Sequence, residues 1–229
     1  MLCSRRESYP VIAKLHGGTG LQRIVGLVSS NNETLGIHAA VAVAHLAQSD
    51  SILTTLLRLA ALPELVALLR RKTPAAQSAA LSALTTMSRI EEGRTAVGSA
   101  GGCVRRTLRL AQSADGEVSA QAVRLLLELV RDEAVCRGVA AQGGVDAMRA
   151  LVRVGGPDGA DVEDETRQSA QTVLRRLEQV AQARTGELVL EVVTRLRRHV
   201  TARTADRLGL KQVLGPRRSS FIADACFRI

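Results

Sequence analysis

The sequence predicts an all-α protein: a right-handed α-solenoid of about four three-helix repeats, some partial, ending in a C-terminal capping helix. Three observations predict it. Apolar anchors recur at Leu21, Leu62, Val104 and Val145, spaced by 41, 42 and 41 residues. Within each recurrence the apolar positions fall at helical spacing. The 229-residue chain is also 46% hydrophobic but only 1% aromatic. Its core must therefore be packed from small aliphatic side chains at regular spacing rather than from large rings.

Residues 1–9 read as an N-terminal tail. Arg5 and Arg6 with nearby serines faintly suggest a mitochondrial presequence, but Pro10 cuts short any amphipathic helix there. The repeat domain is expected over residues 10–183. A short first helix is marked by Leu56, Val97 and Val139, spaced by 41 and 42. A glycine pair or its equivalent follows, at Gly17-Gly18, Ala60-Ala61, Gly101-Gly102 and Gly143-Gly144. A sharp turn between two helices favours a residue that tolerates positive φ. The second helix carries the anchors, then Ile24, Leu65, Thr107 and Met148 three positions on, then Leu27, Leu68, Leu110 and Leu151 six positions on. Thr107 is the one weak member.

A third helix completes each repeat. Its stripes are Ala39, Val43, Leu46; Ala80, Leu84, Met87; Ala122, Leu126, Leu129; and Ala170, Leu174, Leu177. Each set follows i, i+4, i+7, the pattern of a helix buried along one face. The leading alanines let a neighbouring backbone come close. These helices are spaced by 41, 42 and 48 residues, so the last linker holds an insertion of about six. Asp158, Asp161, Glu163, Asp164 and Glu165 fall there, and read as an exposed linker that brings carboxylates to the next helix N-terminus. Their spacing does not match a calcium loop.

Residues 184–212 are expected to form a separate basic helix, with Leu188, Val192 and Leu196 on its apolar side. Arg195, Arg197, Arg198, Arg203 and Arg207 lie on or near its polar side. It serves either as a cap of the solenoid or as a docking element for RNA phosphates, acidic tubulin-like tails or anionic lipid. Residues 213–229 read as a disordered basic tail. Within it Arg217-Arg218-Ser219-Ser220-Phe221 matches the short pattern of basophilic kinases, which makes Ser219 and Ser220 candidate phosphosites.

The net charge is +9, with 31 basic against 22 acidic residues. Such a balance suits acidic partners, RNA or an anionic surface. No aromatic residues interleave with the arginines, which weakens sequence-specific RNA binding by stacking. Cys3, Cys103, Cys136 and Cys226 form no C-x-x-C pair and are read as reduced thiols. His38 and His45 lie on one helix but about 10 Å apart at 1.5 Å per residue, too far to share a metal ion. Gly17-Gly18-Thr19-Gly20 lacks the Gly-Lys-Ser/Thr of a phosphate-binding loop. No metal, cofactor, activated nucleophile or membrane-spanning segment is expected.

The segments GGTGLQRIVGLV, AALPELVALL, AGGCVRRTLRL and QGGVDAMRALV resemble the turn and second helix of armadillo repeats. HAAVAVAHLA, SAALSALTTMS, SAQAVRLLLELV and SAQTVLRRLEQV are similar to that family's third helix. The resemblance covers roughly residues 10 to 180 and implies that the third helices line a binding groove. The positions matching the family's groove asparagine are His45, Thr86, Glu128 and Arg176. None is asparagine, and the chain has no tryptophan, so it departs from the nuclear-import adaptors that hold basic peptides with those residues.

Arg89, Arg124, Arg131 and Arg176 instead make the expected groove basic, suited to an acidic or extended protein segment; their other reading is as solvated helix residues. The resemblance implies a non-catalytic adaptor or scaffold in the cytoplasm, with nuclear and ciliary placements as alternatives. Two other functions are compatible with it. One is a structural subunit of an axonemal, microtubule-associated or organellar ribonucleoprotein assembly, anchored by the basic C-terminal end through RNA or microtubule contact. The other is the substrate-binding part of a U-box–armadillo ubiquitin ligase system.

Overall fold

The computed structural model describes residues 19–154 and 161–207, with side chains other than those of 154, 161–163, 184–189 and 196–207. Eleven helices lie among the described residues: α1 (Gly20–Val28), α2 (Glu33–Leu46), α3 (Asp50–Arg58), α4 (Ala61–Leu68), α5 (Pro74–Met87), α6 (Glu91–Ser99), α7 (Cys103–Leu110), α8 (Gly116–Leu129), α9 (Glu133–Ala141), α10 (Gly144–Val154) and α11 (Asp161–Arg207). The lengths repeat with the sequence. First helices α3, α6 and α9 have 9 residues each, second helices α4 and α7 have 8, and third helices α2, α5 and α8 have 14.

The chain divides into two compact units, Met1–Val180 and Ala181–Ile229. In the first unit, equivalent helices of successive repeats pack on one another. The third helices run α2 to α5 to α8, the first helices α3 to α6 to α9, and the second helices pair as α1 with α4 and α7 with α10. Stacking of this kind gives each repeat the buried surface that it cannot make alone.

The predicted third-helix stripes form the core, but on α1 the expected stripe is displaced: Leu27 is 41% exposed, and Val25 and Val28 are buried beside Leu21 instead. Eleven of the twelve third-helix positions are buried, and only Leu174 is partly exposed. Ala40, Ala76, Ala80, Ala83, Ala122 and Ala170 are fully buried, which is how helices without large side chains approach closely. No aromatic side chain lies among the described residues. The weak member Thr107 is itself fully buried, because its hydroxyl donates to the Cys103 carbonyl at 3.0 Å. That bond satisfies the polar group one turn back on its own helix.

The turns into the second helices use the left-handed backbone. Gly102 has φ 78° and Gly143 φ 86°. Ala60 takes the same role at φ 55°, the one non-glycine residue with positive φ among those described. Three of the third and first helices, α2, α8 and α9, start on side-chain caps. Asn32 accepts from the Leu35 N–H at 3.2 Å, Asp115 from Val118 at 2.9 Å and Asp132 from Val135 at 2.8 Å.

The C-terminal part differs from the sequence expectation. A third helix near 170–177 and a separate helix from 184 were expected, but α11 is one helix of 47 residues. No proline interrupts residues 161–207, and Gly186 is their only glycine. One glycine costs a helix about 1 kcal/mol, too little to break it. The acidic stretch is divided accordingly: Asp161, Glu163, Asp164 and Glu165 fall in the first turns of α11, and Asp158 lies outside the described residues.

Candidate functional site

The third helices bury one stripe each, and the opposite faces form a shared surface. Because α2, α5 and α8 are packed in order, residues at matching positions stand side by side on it. His45, Thr86 and Glu128 are each half-buried there, and Arg176 is exposed. Arg89, Arg124 and Arg131 are exposed on the same helices or at their ends. Val41, 40% exposed, and the half-buried Ser82 occupy the position matching Arg124.

The bonding of these groups decides what they can offer a partner. The Thr86 hydroxyl donates to the Ser82 carbonyl at 3.0 Å, so it presents mainly an acceptor. Arg131 Nη1 lies 2.9 Å from Glu128 Oε2. That oxygen is buried and has no aligned hydrogen bond, so the contact is one of charge rather than a directed bond. Arg124 Nη2 lies 3.9 Å from Glu165 Oε1, and both side chains are largely in water. An exposed pair at that distance contributes at most about 1 kcal/mol, so an incoming carboxylate can replace Glu165. Arg89 and Arg176 have no ion pair among the described residues. Of these arginines, Arg131 and Arg124 stand near the carboxylates of Glu128 and Glu165, while Asp132 and Glu133 lie in the neighbourhood of Arg176 without an ion pair to it.

Two pairings, one on this surface and one between α10 and α11, were not visible in the sequence. Glu165 pairs with Arg124 only because α11 begins early, and the insertion had broken the register that would align them. The Arg149–Glu178 pair, 2.7 Å across from α10 to α11, has no motif at all. Of the C-terminal arginines, Arg195 is exposed on α11. Arg197, Arg198, Arg203 and Arg207 belong to the same helix, but their side chains lie outside the described residues, as do Ser219 and Ser220 altogether.

Other chemistry is sparse. Among the described residues no three His, Cys, Asp or Glu side chains gather closely enough to hold a metal ion. Cys103 is buried, and burial pushes its thiol up to about 11 against a partial offset from the Thr107 hydroxyl. Burial also raises the Cys136 thiol, opposed by the charge of Arg176. Neither is a ready nucleophile, since only the thiolate reacts. No single described helix is long and apolar enough to cross a membrane. The apolar pair α3 and α4 is bent by 83° and carries core residues such as Leu53, Leu56 and Leu65.

No family model matches the chain, and no curated protein matches it. Solved structures do. An engineered protein superposes with a TM-score of 0.67 at 24% identity, covering 78% of this chain and 69% of its own. A designed armadillo repeat protein in complex with the peptide (KR)4 gives 0.65 at 20% identity, covering 76% of this chain and 71% of that one. One of a set of computationally designed armadillo repeat proteins for modular peptide recognition gives 0.64 at 18% identity, covering 79% and 77%. With its all-helical 41- to 42-residue repeats and these superpositions, the chain has the armadillo-repeat fold.

Proposed function

We propose that this protein is a non-catalytic adaptor that holds an acidic, extended protein segment across the exposed faces of α2, α5, α8 and the start of α11. The observation that carries this reading is the repeated surface itself: matching positions on packed third helices, with Arg89, Arg124, Arg131 and Arg176 along it. An extended chain can follow such a ladder from one helix to the next. Guanidinium groups suit carboxylates because they form paired, charge-assisted hydrogen bonds. A structure with the same fold holds the basic peptide (KR)4. Here Arg89 and Arg176, which have no ion pair among the described residues, favour the opposite charge.

Affinity purification from the native cell tests this reading. The intact protein is compared with an Arg→Gln variant at 89, 124, 131 and 176. Partners rich in Asp and Glu are expected with the intact protein and lost with the variant. Identical partner sets from both proteins would overturn the groove assignment.

A second reading rests on a separate observation. Leu190, Val192 and Val193 of α11 are 68%, 54% and 54% exposed. Apolar side chains left in water beside the exposed Arg195 suit a helix that is covered within a larger assembly. Partners that survive the Arg→Gln changes but are lost on Leu190→Glu with Val193→Glu would favour this structural role.

A further inference from the structure

The second-helix layer carries a cluster of charge that the groove reading does not use. Helix α7, of sequence CVRRTLRL, places Arg105, Arg106 and Arg109 in eight residues and has no acidic side chain. Arg106 and Arg109 are one turn apart, as are Arg105 and Arg109, so each pair brings like charges together. Arg105 and Arg106 also stand in the first turn, where the helix dipole disfavours positive charge.

Arg70, just after α4, adds a fourth cation. The Arg106 guanidinium is held below its usual range by burial first, and then by the charges of Arg109 and Arg70. Arg70, Arg105 and Arg109 are exposed and Arg106 half-buried. None of the four has an ion pair among the described residues. The buried side of α7 (Cys103, Val104, Thr107, Leu108 and Leu110) faces the core, and α7 packs on α8. The arginines therefore look away from the exposed face of α8, onto a different surface from the groove.

Placing charges against the helix dipole and against one another gives the fold nothing, and sequences break local rules of this kind mainly at functional sites. We infer that Arg70, Arg105, Arg106 and Arg109 form a second docking surface, on the second-helix layer, for a carboxylate-rich segment of a protein partner. Three forked cations on one short helix, with Arg70 near enough for its charge to act on Arg106, match clustered Asp and Glu side chains. No aromatic side chain among the described residues offers a platform for stacked bases, which favours a protein over single-stranded nucleic acid.

The test uses the full chain with Arg→Gln at 89, 124, 131 and 176, so that the groove no longer contributes. A fluorescein-labelled ten-residue glutamate peptide and a labelled ten-nucleotide uridine RNA are titrated by anisotropy at low and high salt. The expected result is salt-sensitive binding of the peptide, weakened at least tenfold by adding R105Q, R106Q and R109Q. The added changes relieve repulsion within α7, so an unchanged or raised urea midpoint is expected for that protein. R70Q alone serves as a milder variant that leaves α7 intact, and is expected to weaken the peptide severalfold. Peptide binding that is absent, or indifferent to all of these changes, overturns the inference. Tighter binding of the RNA than of the peptide overturns it as well, since the partner would then be nucleic acid.

Discussion

Ala60 stands where the later repeats place Gly102 and Gly143, and it pays a conformational cost that glycine would not. Its φ is 55° and ψ 38°. A left-handed conformation costs an L-residue about 1–2 kcal/mol. Replacing alanine by glycine removes that cost but returns about 0.4–1 kcal/mol of entropy to the unfolded chain. Ala60 is exposed, so little packing is lost. Ala60→Gly is therefore expected to stabilise the protein by about 0.5–1 kcal/mol.

The neighbouring glycines supply the opposite sign and a control. A Cβ on Gly102 would meet nothing within 4 Å, so the cost of Gly102→Ala is conformational alone, about 0.5–1 kcal/mol of destabilisation. Gly101 has the same open space without a left-handed φ. Gly101→Ala is expected to stabilise by about 0.4–1 kcal/mol. Urea denaturation followed by far-ultraviolet circular dichroism measures all three. A destabilised Ala60→Gly protein, or equal effects at 101 and 102, would show that left-handed backbone strain does not set these energies.

Further outcomes rest on other parts of the fold. Leu126→Ala, at a fully buried third-helix position, is expected to cost about 2–5 kcal/mol, and Leu174→Ala, at the partly exposed equivalent, distinctly less; urea midpoints compare them. Asp115→Ala removes the cap on the Val118 N–H and is expected to cost about 1 kcal/mol, with Asp115→Asn largely restoring it. For Cys103, the folded state holds the thiol proton up to about 11, above the ordinary value of 9.0. Its contribution is thus full below pH 9 and is lost as pH rises toward 11, because the unfolded chain ionises first. A fall of roughly 2 kcal/mol between those limits is expected, and Cys103→Ala should remove it from the pH profile of the urea midpoint.

The repeat was legible because period and burial share one cause. Ala80, Leu84 and Met87 recur as Ala122, Leu126 and Leu129 since each set fills the same space against the next repeat. The glycine pairs were legible as turns, but only Gly102 of its pair uses positive φ. Ala60 shows that the turn constrains the backbone more than the residue type. The continuity of α11 was not legible, because an acidic run reads alike as a linker or as a helix start. What settles it is the absence of a breaker after Asp161. The groove was legible as a register of positions, but its pairings were not: Arg124 meets Glu165 across two helices, 41 positions later in the sequence. The arginines of α7 were not legible as a site, because what sets them apart is the missing acidic neighbours and Arg70, which the fold brings near Arg106.

In the proposed function, charge along the third helices selects the partner. This selection is tested most directly by exchanging that charge. A protein carrying R70Q, R105Q, R106Q and R109Q, which removes the second-helix cluster and keeps the groove, is compared with the same protein bearing Arg→Glu at 89, 124, 131 and 176. Each is titrated with a ten-residue glutamate peptide and with (KR)4. The first is expected to bind the acidic peptide in preference, and the second the basic one. An unchanged preference after the exchange would contradict the proposed function.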